Sequence, residues 1–87
     1  MEYTIKKERN STRWLVKGQF HREDGPAIVY DSGTKSWWRH DKLHRIDGPA
    51  FECEFGNHLW SINGTRYTEA EFNRQVAKLA KVTATHN

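Results

Sequence analysis

The chain has few of the features that cross-link small proteins or attach them to membranes. Its 87 residues include a single cysteine, Cys53, which excludes an intrachain disulfide, and only 36% are apolar, so the core must be thin. No apolar stretch approaches the ~20 residues of a membrane span, and the start of the chain lacks the apolar segment of a signal peptide. These absences predict one soluble domain, residues 1–87, that lies in a reducing cytoplasm and has no membrane partner.

Aromatic side chains and mixed charge are what the chain does have. Eleven residues are aromatic, four of them tryptophan, and each large ring can bury roughly 150–250 Å² of surface. The net charge is +3, but acidic residues are interleaved with basic ones and no long run of Lys or Arg occurs. A mildly basic, mixed surface permits a nucleic-acid or acidic protein partner and requires neither.

One motif occurs twice, first at position 21 and again at position 44. The copies are His21-Arg22-Glu23-Asp24-Gly25-Pro26-Ala27 and His44-Arg45-Ile46-Asp47-Gly48-Pro49-Ala50, and Trp14, Trp37 and Trp60 keep the same offset. A fixed period of this length is typical of one supersecondary element that repeats and stacks. The period divides the chain into units 4–26, 27–49 and 50–72. The motif residues expected to be structural are His21, Arg22, Asp24, Gly25, Pro26, His44, Arg45, Asp47, Gly48 and Pro49.

Each unit has the pattern of a β-hairpin. In the second unit, residues 27–31 are rich in β-branched and aromatic side chains, a turn follows at 32–34, and residues 35–39 return as the second strand. The same pattern predicts paired strands in the other two units, six in all. The repeated Asp-Gly-Pro lies between hairpins, because proline cannot donate to a strand ladder and Asp before Gly favours a turn. We therefore interpret the motif as a connector across which its Arg and Asp pair.

Alternation along these strands predicts two faces of different character. One face collects the three repeated tryptophans together with Ile5, Ile28 and Phe51, and we expect it to be the core. The opposite face collects polar side chains, and by parity it also carries Trp38 and its counterparts Leu15 and Ser61. We expect that second face to contact solvent.

A helix is predicted where a third copy of the motif is due. Thr68 and Glu71 have the spacing of a capping box, and Phe72, Val76, Leu79 and Ala80 follow at helical intervals. We predict a helix at about 69–81 that covers the end of the sheet. The expected fold is mainly β with one C-terminal helix: an antiparallel meander of three 23-residue β-hairpin repeats capped by a C-terminal α-helix.

The 23-residue hairpin, its leading aromatic residue and its mid-unit glycine resemble MORN-type repeats. The His-Arg-x-Asp-Gly-Pro-Ala motif is similar to a variant found in short bacteriophage and bacterial proteins, and the resemblance covers about residues 12–75, with a departure at Asp41, which replaces the mid-unit glycine. It implies a small non-catalytic protein that acts through protein–protein interaction. It further suggests a phage-encoded inhibitor or modulator whose partner is a host or defence protein in the host cytoplasm.

The motif also contains an acid, a base and a cation, which together could act on a phosphate ester. Its duplication favours a structural role, because an active site is rarely repeated within one small domain. His40 and His44 have a spacing seen in zinc ligands, with Cys53 and His58 downstream, but the two histidines do not share a helix face and there is no second cysteine. We therefore expect no enzyme activity, no catalytic residue, no metal and no cofactor.

Trp38 is the candidate anchor for a partner. It is predicted on the polar face, where it could bind a protein, stack on a nucleic-acid base or lie flat over neighbouring side chains. Nucleic-acid or nucleotide binding through basic and aromatic residues of the sheet is the alternative function, weakened because Glu8, Asp31 and Glu54 interrupt the basic residues. Open edge strands also allow a homodimer. The candidate binding residues are Trp38, Arg39, His40, Lys42, Arg13 and Lys35.

Overall fold

The computed structural model describes residues 2–85 of the chain, and the side-chain surroundings of residues 2–80. The protein is mainly β with a single helix at its C-terminal end, which confirms the predicted fold class. The elements are β1 (Thr4–Lys7), β2 (Ser11–Val16), β3 (Gln19–Phe20), β4 (Ile28–Tyr30), β5 (Lys35–Ser36), β6 (Trp38–Arg39), β7 (Lys42–Leu43), β8 (Phe51–Glu52), β9 (His58–Ile62), β10 (Thr65–Tyr67) and α1 (Glu69–Thr85).

The main sheet follows the chain in the order β1-β2-β4-β5-β8-β9-β10, and every neighbouring pair is antiparallel. The sequence did not predict the short strands β3, β7 and β10, and the strand predicted at 35–39 is divided into β5 and β6. In the structure β3 folds back onto β2, and β6 and β7 form a small separate sheet. Each unit therefore contains a second, shorter hairpin after its main one, and the six predicted strands become ten.

These short hairpins turn through two residues with left-handed backbones. The pairs are Lys17-Gly18, His40-Asp41 and Asn63-Gly64, and φ is positive at all six positions. Two consecutive residues with positive φ form the turn that matches the twist of antiparallel strands. Asp41 tolerates this conformation because its carboxylate accepts a hydrogen bond from the backbone N–H of Phe20 at 2.7 Å. That contact accounts for the missing glycine of the middle unit.

The first hairpin is paired one residue out of step with the others. Ile5 lies opposite Trp14, whereas the equivalent Phe51 lies opposite Leu59, one position earlier in its unit. The later turns contain a glycine with positive φ, Gly33 or Gly56, and Asn10 stands at that position in the first turn. Turn geometry fixes hairpin register, so the first turn closes over fewer residues and shifts β1.

The register of the second and third hairpins makes the predicted core face partly wrong, because Ile28 lies opposite Ser36 and Phe51 opposite Leu59. Residues directly opposite each other project from the same face of a sheet, so Phe51 lies with Leu59 and faces away from Trp60. Ile5, which pairs with Trp14 and so lies on the same side of the sheet as that ring, is 59% exposed. Ser61, predicted to contact solvent, is fully buried. The tryptophans at 14, 37 and 60 are half-buried, and we refer to the side of the sheet that carries them as the tryptophan face.

The core is thin, as the composition predicts. The described residues fill a plate of 45 × 32 × 17 Å, which is about the thickness of one sheet with its side chains. The buried apolar side chains are Ala27, Ile28, Ala50 and Phe72, and the buried polar ones are Ser11, His21, Ser36 and Ser61. Small and polar side chains thus make up most of the interior, with Ile28 and Phe72 as its larger apolar members.

The helix α1 begins with the capping box that the sequence predicts. The N–H of Thr68 donates to Glu71 Oε1 at 2.9 Å, and the N–H of Glu71 donates to Thr68 Oγ1 at 3.2 Å. The bond that the Glu71 carboxylate accepts from the Thr68 N–H, followed by a contribution from the Thr68 side chain, holds the pKa of Glu71 below its ordinary value. The helix packs Phe72 against the end of the sheet and continues to Thr85, beyond the predicted end. No described helix has the length and apolar character needed to cross a membrane.

Candidate binding surface

The two copies of the motif form structurally equivalent connectors, residues 21–26 (the first connector) and 44–49 (the second connector). In the second, the guanidinium of Arg45 lies 3.8 Å from the centre of the Trp37 ring. Its Nε donates to Asp47 at 2.8 Å, and one terminal nitrogen donates to the carbonyl of Pro49 at 3.0 Å and to Glu52 at 3.3 Å. The bond from Arg45 also holds the pKa of Asp47 below its ordinary value. The predicted Arg–Asp pairing is confirmed.

The first connector repeats this arrangement with slightly longer contacts. Arg22 lies 4.0 Å from the centre of the Trp14 ring, and it donates to Asp24 and to the carbonyl of Pro26, each at 3.2 Å. The motif glycine leaves room for the arginine. A Cβ built on Gly48 would lie 2.9 Å from Arg45 Cζ, and one built on Gly25 would lie 3.2 Å from Arg22 Cζ. Each guanidinium is thus held between a tryptophan ring and a glycine.

The motif histidines join one unit to the next. Nδ1 of His44 accepts a hydrogen bond from the backbone N–H of Asn63 at 2.9 Å, and one repeat earlier Nδ1 of His21 accepts the equivalent bond from His40 at 3.1 Å. An Nδ1 that accepts must be unprotonated, so a neutral ring carries its proton on Nε2. Nε2 of buried His21 donates to Glu23. The histidines therefore fasten each connector to the turn of the following short hairpin.

Acid should loosen the second of these junctions. Burial first, and the nearby positive charge of Arg39 second, lower the pKa of His44 below its ordinary 6.5, while Glu23 opposes them. The unfolded chain then binds more protons than the folded one as pH falls, so the contribution of His44 to stability is complete above about pH 6.5 and is lost below it. We expect the free energy of unfolding in urea to fall between about pH 7.5 and about pH 5.5.

His44→Asn provides the control for this effect. The Asn carboxamide oxygen lies where Nδ1 lies and accepts the Asn63 N–H, but it does not titrate. The variant should show a flatter dependence of stability on pH over the same range. An identical pH slope in the two proteins would contradict the role assigned to His44.

Two grooves flank the second connector. The first groove, about 530 Å³, lies between the two connectors and is lined in part by Trp37. The second groove, about 520 Å³, lies between the second connector and α1 and is lined in part by Trp60. Ile46 and Asp47 line both grooves, and Ile46 is 49% exposed. We call these two residues the ridge; together with the grooves they form a surface that combines one exposed apolar side chain with tryptophan-lined walls.

The charges of the first groove are balanced. Three arginines and three carboxylates line it, and the ion pairs Arg22–Asp24, Arg39–Glu23 and Arg45–Asp47 join them at 3.2, 3.2 and 2.8 Å. A guanidinium already bonded to a carboxylate has less affinity for an incoming phosphate. The first groove therefore offers no excess positive charge to an anionic ligand.

Trp38, the predicted anchor, is half-buried and bonded within the sheet. Its Nε1 donates to Ser36 Oγ at 2.8 Å, and its ring centre lies 5.6 Å from that of Phe20. Arg13 also approaches Phe20, at 5.9 Å from the ring centre, and donates to Ser11. The structure thus brings Trp38 and Arg13 together around Phe20, and this cluster resembles the alternative in which Trp38 lies over neighbouring side chains.

The other predicted binding residues are spread along the chain's surface and do not form one cluster with Trp38. Arg39 lines the first groove and pairs with Glu23, and exposed His40 places its ring 4.3 Å from that of His21. Lys42 is exposed beside Gly64 in the following turn. Lys35 is exposed in β5, opposite Glu52 of β8. Of the six predicted residues, only Arg39 lines the first groove, and none lines the second.

Two exposed apolar side chains were missed by the sequence interpretation. Ile46 occupies the variable position of the motif, where the first copy has Glu23. Phe55 is 82% exposed at the β8–β9 turn, where the other units have Arg9 and Ser32. An apolar residue at a position that is polar in the other units was the signal in both cases, because such a residue is not required by the fold.

The candidate metal ligands do not form a site in the described part of the chain. No group of three or more His, Cys, Asp or Glu side chains is placed there to hold an ion. Cys53 is half-buried at the end of β8, with its backbone bonded across the turn to Asn57 and Gly56.

No protein-family model, curated protein or solved structure matches this chain.

Proposed function

We propose that this protein binds another protein and catalyses no reaction, and that the ridge and its two grooves form the binding surface. The single observation that supports the proposal is Ile46, an apolar side chain 49% exposed between two grooves with tryptophan in their walls. Protein interfaces favour such a combination: Trp and Arg are enriched at their centres, and charges there are paired. In line with the resemblance, the partner we propose is a host or defence protein that this chain inhibits or modulates.

The alternative, nucleic-acid binding, draws its support from another part of the molecule. Lys6 lies directly opposite Arg13 across β1 and β2, and no described carboxylate forms an ion pair with either. Two adjacent cations of this kind suit a phosphate backbone. They lie outside the grooves, so the two functions use different residues and can be separated experimentally.

The partner should first be captured with the tagged protein from the native cytoplasm, with and without nuclease. We then expect Ile46→Ser to weaken binding of the captured protein about tenfold, because a half-exposed apolar side chain at the centre of the surface is lost. Ile5→Ser is the matched control, since Ile5 is comparably exposed but lies in β1. Isothermal calorimetry or surface plasmon resonance gives both affinities.

Three results would contradict the proposal. Equal affinities of the Ile46→Ser and Ile5→Ser variants would remove the ridge from the interface. Loss of the partner after nuclease treatment would favour the alternative function. So would tight oligonucleotide binding that weakens steeply with salt and requires Lys6 and Arg13.

A further inference from the structure

The third tryptophan differs from its two counterparts in what covers it. In the first two units an arginine of the chain itself lies over the ring, Arg22 on Trp14 and Arg45 on Trp37. Thr68 stands at the equivalent position of the third unit and serves as the helix cap. No described residue places a cation over Trp60, and His58 meets its ring edge-on, at 5.9 Å between centres. The third unit thus has the aromatic half of the pair without the guanidinium.

The second groove opens beside this ring. It is about 520 Å³ in volume, and its lining combines Trp60 with apolar side chains of α1, Phe72 and Val76, and with Ile46 of the ridge. The first groove is occupied at the corresponding place by Arg45 on Trp37. The second groove is therefore the repeat-related counterpart of the first, with the arginine missing.

The charge around the second groove complements a cation. Asp47, Glu52 and Glu69 line it, and among the described residues the only guanidinium bonded to any of them is that of Arg45, which contacts Asp47 and Glu52. The lining of the second groove carries these three carboxylates and no Lys or Arg, in a chain whose net charge is +3. The first groove, in contrast, has three charges of each sign.

We propose that the second groove binds an arginine side chain of the partner protein, with its guanidinium over Trp60 and its charge met by Glu69 and its neighbours. The proposal rests on the proposed function and specifies the chemistry of the partner. The partner's arginine would make with Trp60 the contact that Arg22 makes with Trp14 and Arg45 makes with Trp37 inside this chain. Arginine suits the groove better than lysine, because a planar guanidinium stacks on an aromatic ring and also binds carboxylates in a fork. The same carboxylates repel phosphate, so this groove does not fit nucleic acid.

A blocked glycine–arginine–glycine peptide is the probe, with its citrulline counterpart as the matched control. Citrulline has nearly the same shape as arginine and no charge. In two-dimensional NMR we expect the arginine peptide to shift the Trp60 indole N–H in a saturable way, and the Trp37 indole, already covered by Arg45, much less. The citrulline peptide should bind at least about tenfold more weakly.

Variants of the protein test the carboxylates. Glu69→Gln should weaken binding of the arginine peptide about threefold, since it removes a groove carboxylate that is not bonded to Arg45. Glu54→Gln removes the same charge from the exposed β8–β9 turn and should leave the affinity unchanged. Both positions are exposed, so neither variant should alter folding, which the unchanged spectra of Trp14 and Trp37 would verify.

The outcomes distinguish this inference from the proposed function. Equal binding of the arginine and citrulline peptides, equal shifts at Trp60 and Trp37, or equal effects of Glu69→Gln and Glu54→Gln would overturn the arginine site. If Ile46→Ser still weakened the captured partner in that case, protein binding at the ridge would stand. If Ile46→Ser had no effect while the peptide bound at Trp60 as described, the site would exist and the assignment of the interface would be wrong.

Discussion

Replacing Phe72 with alanine is expected to lower the free energy of unfolding by about 3–5 kcal/mol, the range for large-to-small changes in a core. Phe72 is 4% exposed, and it is the only large apolar side chain of α1 among the described buried residues. In so thin a molecule nothing nearby can move in to fill the space that the ring leaves. Because Phe72 also lines the second groove, the variant should lose the contact between the helix and the sheet.

Urea unfolding followed by circular dichroism measures this effect. Leu79→Ala is the control on the same helix, because Leu79 is 49% exposed, and it should cost less than half as much. A Phe72→Ala protein as stable as the Leu79→Ala protein would show that α1 is held by something other than this ring.

Replacing Arg45 with alanine has the second-largest expected effect, a loss of about 2–4 kcal/mol. The side chain is 20% exposed, stacks on Trp37 and donates to Asp47, Pro49 and Glu52. Its removal uncovers a tryptophan ring and leaves a partly buried carbonyl acceptor without its donor. The loss should exceed that of a surface arginine because several contacts fail together.

Thermal and urea unfolding of three variants test this expectation. Arg66→Ala, an exposed arginine of β10, should change stability by less than about 0.5 kcal/mol. Arg45→Lys keeps the charge but lacks the planar fork, so it should recover only part of the loss. Full recovery with lysine would show that the positive charge holds the connector, and that stacking on Trp37 contributes nothing to its stability.

The sequence was sufficient to predict the elements whose signals are local. The repeat period placed the main hairpins, and the spacing of Thr68 and Glu71 placed the start of the helix, because a capping box involves only residues within one turn. The Arg–Asp pairing of the connectors was predictable for the same reason, since the two residues are two positions apart.

Strand register could not be predicted from alternation. Period 2 shows which residues of one strand share a face, but it does not show which residues of two strands lie opposite each other. The glycines at 33 and 56, and their absence at position 10, decide that point through turn geometry. This is why Phe51, and Ile28 although it is buried as predicted, lie on the opposite side of the sheet from the tryptophans.

The candidate site was harder to predict because its parts come from different units. Trp38 was identified from its neighbours in sequence, whereas Phe20, which its ring contacts, lies in the preceding unit. Ile46 matters because two grooves meet at it, and a groove is a property of folded connectors and a docked helix. No pattern within a single repeat contains that information.

The histidine junctions also determine how this molecule could change in length. The bond that joins the first and second units, from His21 to the turn at His40, recurs one repeat later between His44 and Asn63. If residues 27–49 were duplicated after Pro49, each junction of the added copy would again be a histidine Nδ1 that accepts a bond from the backbone N–H of the following turn. The middle unit is thus a module between two specialised ends, and each added copy would lengthen the tryptophan face by one groove, lined by Ile46 where the first groove has Glu23. Elongation by whole units is therefore a route by which such chains can acquire a longer surface without a new fold.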